Sequence, residues 1–540
     1  MPTLNFKGKS FVQNHHLAVK YHQLVPQKDK SLTDKISLHD NLIIQGDNLK
    51  ALKALLPTYA GKIKCIYIDP PYNTGNEGWA YNDKVNSPMI KEWLGKVVDK
   101  DDLSRHDKWL CMMMPRLKLL KELLSEDGAI FISCDDNEMQ RLKILCDEIF
   151  GEDKFIGTIN WRKVYSPRMD AKTISEDIDF ILAYSKKTEF TLNKWTFEQN
   201  KKQFNIKDET TGKNYRRRQW RKEGSNARRE DRPNLYYPII VEDGTEVFPI
   251  RPDKSEGCWR GSYDYFQELN SKGEIEFIYE DGIWQIYVKQ FLNDDASQPP
   301  STFWDSEFAG HNQQAAFEIK SIFNKGVFDT PKPTTLIKRI IQLVSGKDDI
   351  ILDSFAGSGT TAHAVLDLNK VDEGNRRFIL VEMEDYANNI TAERVRRIIN
   401  GVPESKNFQE GTGGSFSYFE LGAPIEMESI LKGENLPSYE EFAKYLFYTA
   451  TGEEFDASKI KEETNYIGTS EDYEIYLFYK PDLDYLKSTA LTLDKAKALG
   501  QQNGKKRLVF APAKFVDSHT LTDLRIEFCQ LPFEIYKLKG

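Results

Sequence analysis

Two segments of this chain contain side chains whose types and order could carry chemistry. The first, Asp69-Pro70-Pro71-Tyr72, follows Ile63–Ile68, an apolar run that predicts a buried strand. The Asp69 carboxylate and a main-chain carbonyl of the proline pair could each accept one N–H of an exocyclic amino group. Because proline fixes φ, both acceptors would be held in place before a ligand arrives.

The ring of Tyr72 adds a face on which a flat base could stack, worth about 1–3 kcal/mol in single-strand binders. An amino group on adenine is a poor nucleophile, and two acceptors would localise its lone pair toward a methyl donor. Because that amino group is paired in a duplex, its base would have to be flipped out. The alternative is a structural turn, which Asp-Pro and Pro-Pro pairs often form. We prefer the amino-group site, since a turn leaves the acid, the ring and the second segment unrelated.

The second segment, Asp349–Thr361, predicts a nucleoside-binding turn. A predicted strand leads into Gly357 and Gly359, which would let a ligand approach the backbone, and then into a helix whose positive end would face it. Glu382 ends the next predicted strand, where such folds place an acid that accepts ribose hydroxyls. The third glycine of the dinucleotide pattern is Ala362 here, which that pattern allows, so a nicotinamide cofactor stays open on this turn alone.

The elements around both segments predict an α/β fold with a doubly wound, mostly parallel sheet. Three runs rich in Ile or Phe show no clean alternation, as expected for strands covered on both faces, namely Ile63–Ile68, Gly128–Cys134 and Asp179–Tyr184. Amphipathic helices are predicted at Lys108–Leu124 and Glu138–Phe150. After an interruption the pattern resumes with a helix at Thr334–Leu343, strands at Asp349–Asp353 and Arg377–Glu382, and helices at Thr361–Asn369 and Ile390–Ile399.

A chain of 540 residues predicts several domains. The interruption is polar, aromatic and turn-rich, and Glu242–Thr245 and Tyr279–Ile283 predict hairpin turns in a mostly β insertion. Strands at Tyr473–Tyr479 and Arg507–Phe510 predict a further small α/β domain. The predicted bounds are 1–34 for an N-terminal extension, 35–189 for a catalytic half, 190–325 for the inserted domain, 326–405 for a cofactor-binding half and 406–540 for a C-terminal accessory or dimerisation domain.

The charge distribution indicates where a polyanion could bind. The net charge of −9 argues against such a partner, but residues 210–232 hold nine basic and three acidic side chains, a local excess of +6. A solvated loop is the alternative for any such run. Arginine predominates here, and its guanidinium group suits phosphates and base edges. The predicted DNA-contacting residues are Arg216, Arg217, Arg218, Trp220, Arg221, Arg228 and Arg229.

The composition does not support several other classes of protein. The six cysteines include no C-x-x-C pair and the eight histidines are scattered, which predicts free thiols and no metal site. No Pro-Cys dipeptide offers the nucleophile that cytosine C5 methylation needs. No stretch reaches the twenty apolar residues of a membrane span, and Met1–Lys7 lacks a signal-peptide core, so we expect a cytoplasmic protein.

Together the two segments resemble the amino-methyltransferases that use S-adenosylmethionine, in the β-class order of catalytic motif, recognition domain and Phe-x-Gly-x-Gly motif. Residues 67–75 and 351–361 match that family closely. Outer segments are similar to those of modification (Mod) subunits of type III restriction-modification systems, namely Arg232–Pro238, Pro331–Pro333, Gly411–Gly414 and Cys529–Phe533. The resemblance spans most of the chain and implies a class I, Rossmann-like fold and adenine N6 methylation.

The resemblance also implies roles, position by position. The catalytic set would be Asp69, Pro70, Pro71 and Tyr72. The residues around S-adenosylmethionine would be Asp47, Lys332, Asp353, Phe355, Ala356, Gly357, Ser358, Gly359, Thr360 and Glu382. Asp47 would lie near the cofactor's adenine, although a helix N-cap before Leu49–Leu56 explains it equally well. Lys332 would line the methionine end, or be an ordinary lysine at a strand edge.

We therefore expect direct, in-line methyl transfer to N6 of a flipped-out adenine in duplex DNA. The alternatives are N4-cytosine methylation, an adenine methyltransferase without a nuclease partner, a nicotinamide oxidoreductase and a non-catalytic recognition subunit. The implied partners are DNA, a helicase-nuclease restriction subunit and a second copy of the chain. Mod subunits are often longer than this chain, so the extent of its recognition domain and partner contacts stays open.

Overall fold

The computed structural model describes residues 3–74, 105–166, 173–196, 201–293, 297–425, 436–453, 455–499 and 504–531. Contacts divide the chain into two units, unit 1 (1–193 and 301–540) and unit 2 (194–300). Gly75, at the end of the first resembling segment, and Pro532-Phe533 of the tail lie outside the described residues. Unit 2 begins and ends within the predicted 190–325 insertion, and the domain bounds given above stay predictions.

The strands are numbered along the chain. In the first part they are β1 His22–Pro26, β2 Leu42–Gln45, β3 Ile63–Ile68, β4 Leu124–Cys134, β5 Phe155–Arg162 and β6 Ile178–Ser185. Unit 2 contains β7 Trp195–Thr196, β8 Ile206–Lys207, β9 Asn214–Gln219, β10 Ile239–Ile240, β11 Glu246–Val247, β12 Ile275–Glu280, β13 Ile283–Phe291 and β14 Ser297–Gln298. The rest are β15 Phe303–Trp304, β16 Ile350–Asp353, β17 Arg377–Glu382, β18 Ser417–Pro424, β19 Tyr466–Thr469, β20 Tyr473–Leu477, β21 Leu491–Thr492, β22 Lys506–Ala511, β23 Lys514–Phe515 and β24 Ile526–Gln530.

The α-helices of the described residues are numbered in the same way. Those before and within unit 2 are α1 Lys9–Val12, α2 His15–Ala18, α3 Asn48–Tyr59, α4 Arg105–Leu123, α5 Met139–Phe150 and α6 Tyr263–Ser271. Those after it are α7 Ser306–Ala309, α8 Asn312–Phe323, α9 Thr334–Val344, α10 Thr360–Asp372, α11 Glu393–Asn400, α12 Tyr439–Thr451, α13 Leu483–Ser488, α14 Leu493–Ala498 and α15 Ser518–Asp523. One π-helical turn, Asn388–Ala392, precedes α11.

The main sheet of unit 1 has ten strands in the order β1-β18-β2-β17-β16-β3-β4-β6-β5-β15. The six strands from β18 to β4 run parallel, whereas β6 is antiparallel to β4 and β5 is antiparallel to β6. Helices α3, α4 and α5 share a core cluster with the sheet, while α9, α10 and α11 pack together in a second layer. The predicted doubly wound, mostly parallel fold is confirmed.

The C-terminal part of unit 1 contains a second sheet, in the order β19-β20-β22-β24. Strands β20, β22 and β24 are parallel, and α12 contributes to their core. The Tyr21 ring contacts the Tyr445 ring of α12, with centroids 4.9 Å apart, so this sheet packs against the N-terminal part of the same unit. The strands predicted in this region correspond to β20 and β22.

Unit 2 is built around an antiparallel sheet in the order β12-β13-β9-β8. Its core includes Trp220, Trp259, Phe266 and Ile286. The predicted turns at 242–245 and 279–283 join β10 to β11 and β12 to β13. Throughout the described ranges of the chain, helices long and apolar enough to cross a bilayer are absent.

Candidate active site

The two chemical segments meet at one edge of the main sheet. Strands β3 and β16 are parallel neighbours, with Leu352 opposite Ile66, so their carboxyl ends lie side by side. A cavity of about 640 Å³ opens at this edge, and its lining includes Asp69, Pro70, Pro71, Tyr72, Lys332, Asp353, Phe355, Ala356, Gly357, Ser358, Thr360 and Glu382. That volume suits a small-molecule site, and crevices at strand carboxyl ends are where such folds bind ligands.

The two carboxylate oxygens of Asp69 have different surroundings. Oδ2 accepts a hydrogen bond from the Lys332 ammonium at 2.6 Å. Oδ1 is buried and has no hydrogen-bond partner among the described residues. The same ammonium lies 5.0 Å from the centroid of the Tyr72 ring. Asp69 therefore keeps one acceptor for a ligand, and a buried acceptor of this kind is destabilising until a donor reaches it.

The segment after Asp69 is fixed by groups outside it. The Trp109 indole N–H of α4 donates to the Pro71 carbonyl at 2.6 Å, so the Pro70 carbonyl is the other main-chain acceptor of the proline pair. Asn73 has a left-handed φ of 61° and donates to the Glu138 carboxylate and, at 3.2 Å, to the Arg105 carbonyl. The helix that carries Trp109 was predicted, but nothing in the sequence indicated the bond from Trp109 to Pro71.

Tyr72 is also held at the tip of its ring. Its hydroxyl donates to Asp179 Oδ2 at 3.3 Å, and the Lys163 ammonium donates to Asp179 Oδ1 at 2.7 Å. Burial, with the nearby Asp69 and Asp179 charges, raises the pKa of Tyr72 well above its ordinary value, so its hydroxyl remains a donor. Lys163 and Asp179 line the cavity but were not predicted as site residues.

The turn between β16 and α10 is held by Asp353. Its Oδ1 accepts the Phe355 N–H at 3.0 Å, and its Oδ2 accepts the Thr361 hydroxyl at 2.6 Å. Gly357 and Gly359 have left-handed φ values of 52° and 81°, which side chains with a Cβ rarely adopt. Burial raises the pKa of Asp353 to about 7. The strand, the glycine turn and the helix thus form one tied unit, as the sequence predicted.

Glu382 closes the far end of the cavity. Its Oε1 accepts the Met383 and Glu384 N–H groups at 2.9 and 3.0 Å, and its Oε2 accepts the Gly357 N–H at 2.7 Å. A carboxylate oxygen can accept a second donor, so Oε2 keeps capacity for a ligand hydroxyl. Burial raises the pKa of Glu382 to about 7.

Comparison with known proteins identifies the family to which this site belongs. The DNA methylase family model (N6_N4_Mtase) matches residues 63–393, which contain both chemical segments. The chain belongs to the DNA methylase family. The sequence-based recognition of an amino-methyltransferase is thereby confirmed at the level of the family.

Individual relatives of this DNA methylase include restriction-modification proteins. It is 32% identical over 447 residues to the type III StyLTI Mod subunit of Salmonella typhimurium, covering 78% of this chain and just under two thirds (66%) of that protein. It is 35% identical over 366 residues to the type II methyltransferase M.KpnI of Klebsiella pneumoniae, covering 65% of this chain and 82% of that protein. A solved PvuII DNA methyltransferase (cytosine-N4-specific) overlaps 67% of this chain and 89% of its own, at 12% identity and a TM-score of 0.35.

One residue that holds the turn predicted to bind the cofactor (residues 354–359, the cofactor turn) was not found in the sequence analysis. Arg394 of α11 is fully buried and donates to Ser358 Oγ at 2.9 Å and Thr360 Oγ1 at 2.8 Å. Burial lowers its pKa to about 10, which leaves it charged at neutral pH. The sequence does contain a signal for the burial of Arg394, because this residue lies on the same helix face as the apolar Ile398, four residues later.

Asp47 directly follows Gly46, whose N–H donates to the Glu382 carbonyl at 2.9 Å. It accepts the Lys50 N–H at 3.1 Å and caps α3, as the alternative in the sequence analysis proposed. Neither Asp47 nor Gly359 belongs to the described lining of the cavity. The next residue, Asn48, donates to the Ser354 carbonyl at 3.1 Å, and Arg116 donates to Asn48 at 2.5 Å. The structure therefore ties this corner to the cofactor turn through Asn48.

Unit 2 carries the predicted DNA-contacting residues, and its structure corrects one of them. Trp220 is 2% exposed and packs in the core of the unit with Phe266. An enclosed indole cannot stack on a base or reach a phosphate. Its place in a basic segment was misleading, because Trp220 directly follows β9 and packs in the hydrophobic core of the unit.

The arginines of the same segment differ in how far they are already paired. Arg217 donates to Glu276 and Arg229 to Glu256, both at 2.8 Å, while Arg221 reaches Glu223 at 3.4 Å. The remaining predicted arginines are Arg216, which bonds Gln290 at 2.9 Å, and the exposed Arg218 and Arg228. Their roles in DNA binding stay predictions. Among the described residues, clusters of three or more potential metal ligands are absent.

Proposed function

We propose that this DNA methylase transfers a methyl group from S-adenosylmethionine to N6 of an adenine flipped out of duplex DNA. The proposal rests on one observation, the buried Oδ1 of Asp69, which accepts no hydrogen bond from the described residues and lies at a cavity that also contains Tyr72 and the glycine turn. An acceptor, an aromatic face and a nucleoside-binding turn are what amine activation beside a bound cofactor requires. A nicotinamide oxidoreductase would need neither the buried acceptor nor the aromatic face.

The residues of the cavity fit S-adenosylmethionine. The Glu382 Oε2 atom, held by the Gly357 N–H at 2.7 Å, would accept ribose hydroxyls. Phe355 and Ala356 would lie against the nucleoside, and the Lys332 ammonium has donors to spare for a carboxylate at the methionine end. When bound, the cofactor supplies a methyl group on a positively charged sulfur, which needs a nucleophile but no acid catalyst.

The chain's own residues prepare that nucleophile. Asp69 Oδ1 would accept one N–H of the amino group and the Pro70 carbonyl the other, since the Pro71 carbonyl is engaged by Trp109. The nitrogen lone pair is then localised toward the methyl group, and Tyr72 supplies the stacking face. The nitrogen would take the methyl group from the sulfonium, which would leave as a neutral thioether, and Asp69 or water would accept the proton that the amine loses.

We further propose that the chain acts as the modification and recognition subunit of a type III restriction-modification system. The similarity to the StyLTI Mod subunit supports this assignment, as does the order of catalytic segment, unit 2 and cofactor turn along the chain. Duplex DNA would contact unit 2 through its arginines. A helicase-nuclease subunit and a second copy of this chain would be the protein partners, in the cytoplasm, where bacterial DNA lies.

The test is transfer of labelled methyl from S-adenosylmethionine to unmethylated genomic DNA, followed by nucleoside analysis. We expect the label in N6-methyladenine. Label in N4-methylcytosine would replace adenine as the target and keep the amine chemistry. No label in DNA, with the cofactor shown by calorimetry to bind, would contradict the proposed function and favour a non-catalytic recognition subunit.

A further inference from the structure

The ring of Tyr72 is held at its hydroxyl by a pair of charged residues that no family match assigns a role. Asp179 accepts the Tyr72 hydroxyl at 3.3 Å with one oxygen and the Lys163 ammonium at 2.7 Å with the other. Asp179 is 3% exposed, so both contacts form away from bulk water. The 2.7 Å ammonium contact has the length of a charge-assisted bond and holds the carboxylate, whereas the 3.3 Å hydroxyl contact is longer and orients the ring rather than binding it strongly.

Strands of the main sheet fix the positions of Asp179 and Lys163. Asp179 lies in β6, which pairs along β4 and β5, and its partner in the β5 register is Trp161. Lys163 directly follows β5, and its N–H donates to the Asp177 carbonyl at 2.9 Å. Two strands thus fix the position of the acceptor, and the acceptor fixes the tip of the Tyr72 ring.

The Tyr72 ring is also close to the ammonium group that binds Asp69, the proposed catalytic acid. The Lys332 ammonium lies 5.0 Å from the Tyr72 ring centroid and 2.6 Å from Asp69 Oδ2. A small rotation of the ring about its side-chain bonds would change both the stacking plane and its distance from Asp69. Atoms that react must be placed within a fraction of an ångström, so a freely turning ring would lower the rate.

We propose that Asp179, supported by Lys163, is a positioning residue that sets the plane of the Tyr72 ring on which the target base stacks. This inference rests on the proposed function, because it gives the ring a base to hold. Asp179 acts through Tyr72 and touches no reacting atom. The competing explanation is that the Lys163–Asp179 ion pair only joins β5 to β6.

A double-mutant cycle separates the two explanations. The variants are Tyr72→Phe, which keeps the stacking face and loses the hydroxyl, Asp179→Ala, and both together. The measurements are kcat and KM for plasmid DNA that the wild type methylates, cofactor affinity by calorimetry, and the unfolding midpoint. Asp179→Asn is a conservative variant, because its amide oxygen can still accept the Tyr72 hydroxyl.

A positioning role predicts that each single variant loses about tenfold in kcat/KM for DNA and that the double variant loses no more than either. Cofactor affinity stays unchanged, and Asp179→Asn recovers part of the loss. Asp179→Ala lowers the unfolding midpoint in both backgrounds, because Lys163 loses its partner in each. If the Asp179→Ala loss in kcat/KM is as large in the Tyr72→Phe background as in the wild type, the inference is overturned.

The failure of this inference is distinct from a failure of the proposed function. Absence of methyl transfer by the wild type contradicts the function itself, and the inference with it. Transfer by the wild type with multiplicative losses in the cycle leaves the function intact and removes only the role of Asp179.

Discussion

At the scale of single residues, the two oxygens of each site carboxylate differ in how many hydrogen bonds they accept from the protein. Asp69 has one oxygen bound to Lys332 and one without a partner, while Glu382 has one oxygen bound by two amides and one bound by a single amide. In each case the protein engages one oxygen fully and leaves acceptor capacity on the other. This asymmetry fixes the orientation of each carboxylate before a ligand arrives, which lowers the reorganisation needed for binding.

Glu382 gives the site a pH dependence of known sign. Burial raises its pKa to about 7, so the carboxyl group is protonated below that pH and ionised above it. The ionised group accepts ribose hydroxyls better. We expect S-adenosylmethionine affinity, measured by calorimetry, to increase as pH rises through about 7. Glu382→Gln should bind about tenfold more weakly at high pH, with a smaller step near pH 7, because Asp353 of the same turn also has a pKa of about 7.

The same shift acts on stability in the opposite direction. A carboxyl pKa that is higher in the folded state means that the folded chain binds the proton more tightly, so its unfolding free energy falls as pH rises from about 4.5 to about 7. Glu382→Gln should lack this contribution, which chemical denaturation at several pH values would measure. A flat affinity profile in the wild type would contradict the predicted role of Glu382.

At the scale of elements, the cofactor turn is rigid because it is tied on three sides. Asp353 joins the end of β16 to the start of α10, and Arg394 donates from α11 to Ser358 and Thr360. A Cβ at Gly359 would lie 3.0 Å from the Thr391 carbonyl oxygen. The turn therefore has no room to relax around a larger residue.

Gly359→Ala tests this close packing. A left-handed φ of 81° costs a residue with a Cβ about 1–2 kcal/mol, and the contact with Thr391 adds to that cost. We expect the unfolding free energy to fall by about that amount and S-adenosylmethionine affinity to fall about tenfold or more. Gly326→Ala is the matched control, because a Cβ there meets nothing within 4 Å, and it should leave both quantities unchanged. Equal effects of the two substitutions would contradict the account.

The sequence predicted elements well where burial determines both pattern and position. The bounds of β3 and β17 agree with the prediction, because most positions of both strands are buried and apolar and a carboxylate residue stands at, or directly after, the last position. Strand β5, which pairs antiparallel with the predicted strand β6, was not predicted, since only Ile159 and Trp161 of its residues are buried and it lacks that signal. Side-chain bonds over long sequence separations, such as Trp109 to Pro71, have no pattern in one sequence.

At the scale of the whole molecule, the proposed function assigns methyl transfer to unit 1 and DNA contact to unit 2. Both predicted chemical segments lie in unit 1, and the basic segment lies in unit 2. A change of composition marked the insertion in the sequence, because polar, turn-rich residues replace the strand and helix pattern. Which arginines are engaged within unit 2 could not be predicted, since partners such as Glu276 lie on other strands.

The pairing within unit 2 predicts unequal contributions to DNA affinity. Arg218 is exposed on β9, whereas Arg217 is bound to Glu276 at 2.8 Å and must give up that partner to contact DNA. We expect Arg218→Ala to weaken DNA binding and to reduce the slope of log affinity against log salt by about 0.9. Arg217→Ala should have a smaller effect on both. Filter binding at several salt concentrations measures them, and cofactor affinity should not change. A larger loss from Arg217→Ala would contradict the assignment.

The central claim is that one cavity joins an amine-activating acid to a cofactor turn, and Asp69→Ala tests it most directly. The measurement is the single-turnover rate of methyl transfer to DNA with saturating S-adenosylmethionine, alongside cofactor affinity in the same variant. We predict a rate loss of about 10²–10³-fold, comparable to that caused by removing one transition-state hydrogen-bond group elsewhere, with cofactor affinity nearly unchanged. Transfer by Asp69→Ala at the wild-type rate would contradict the account.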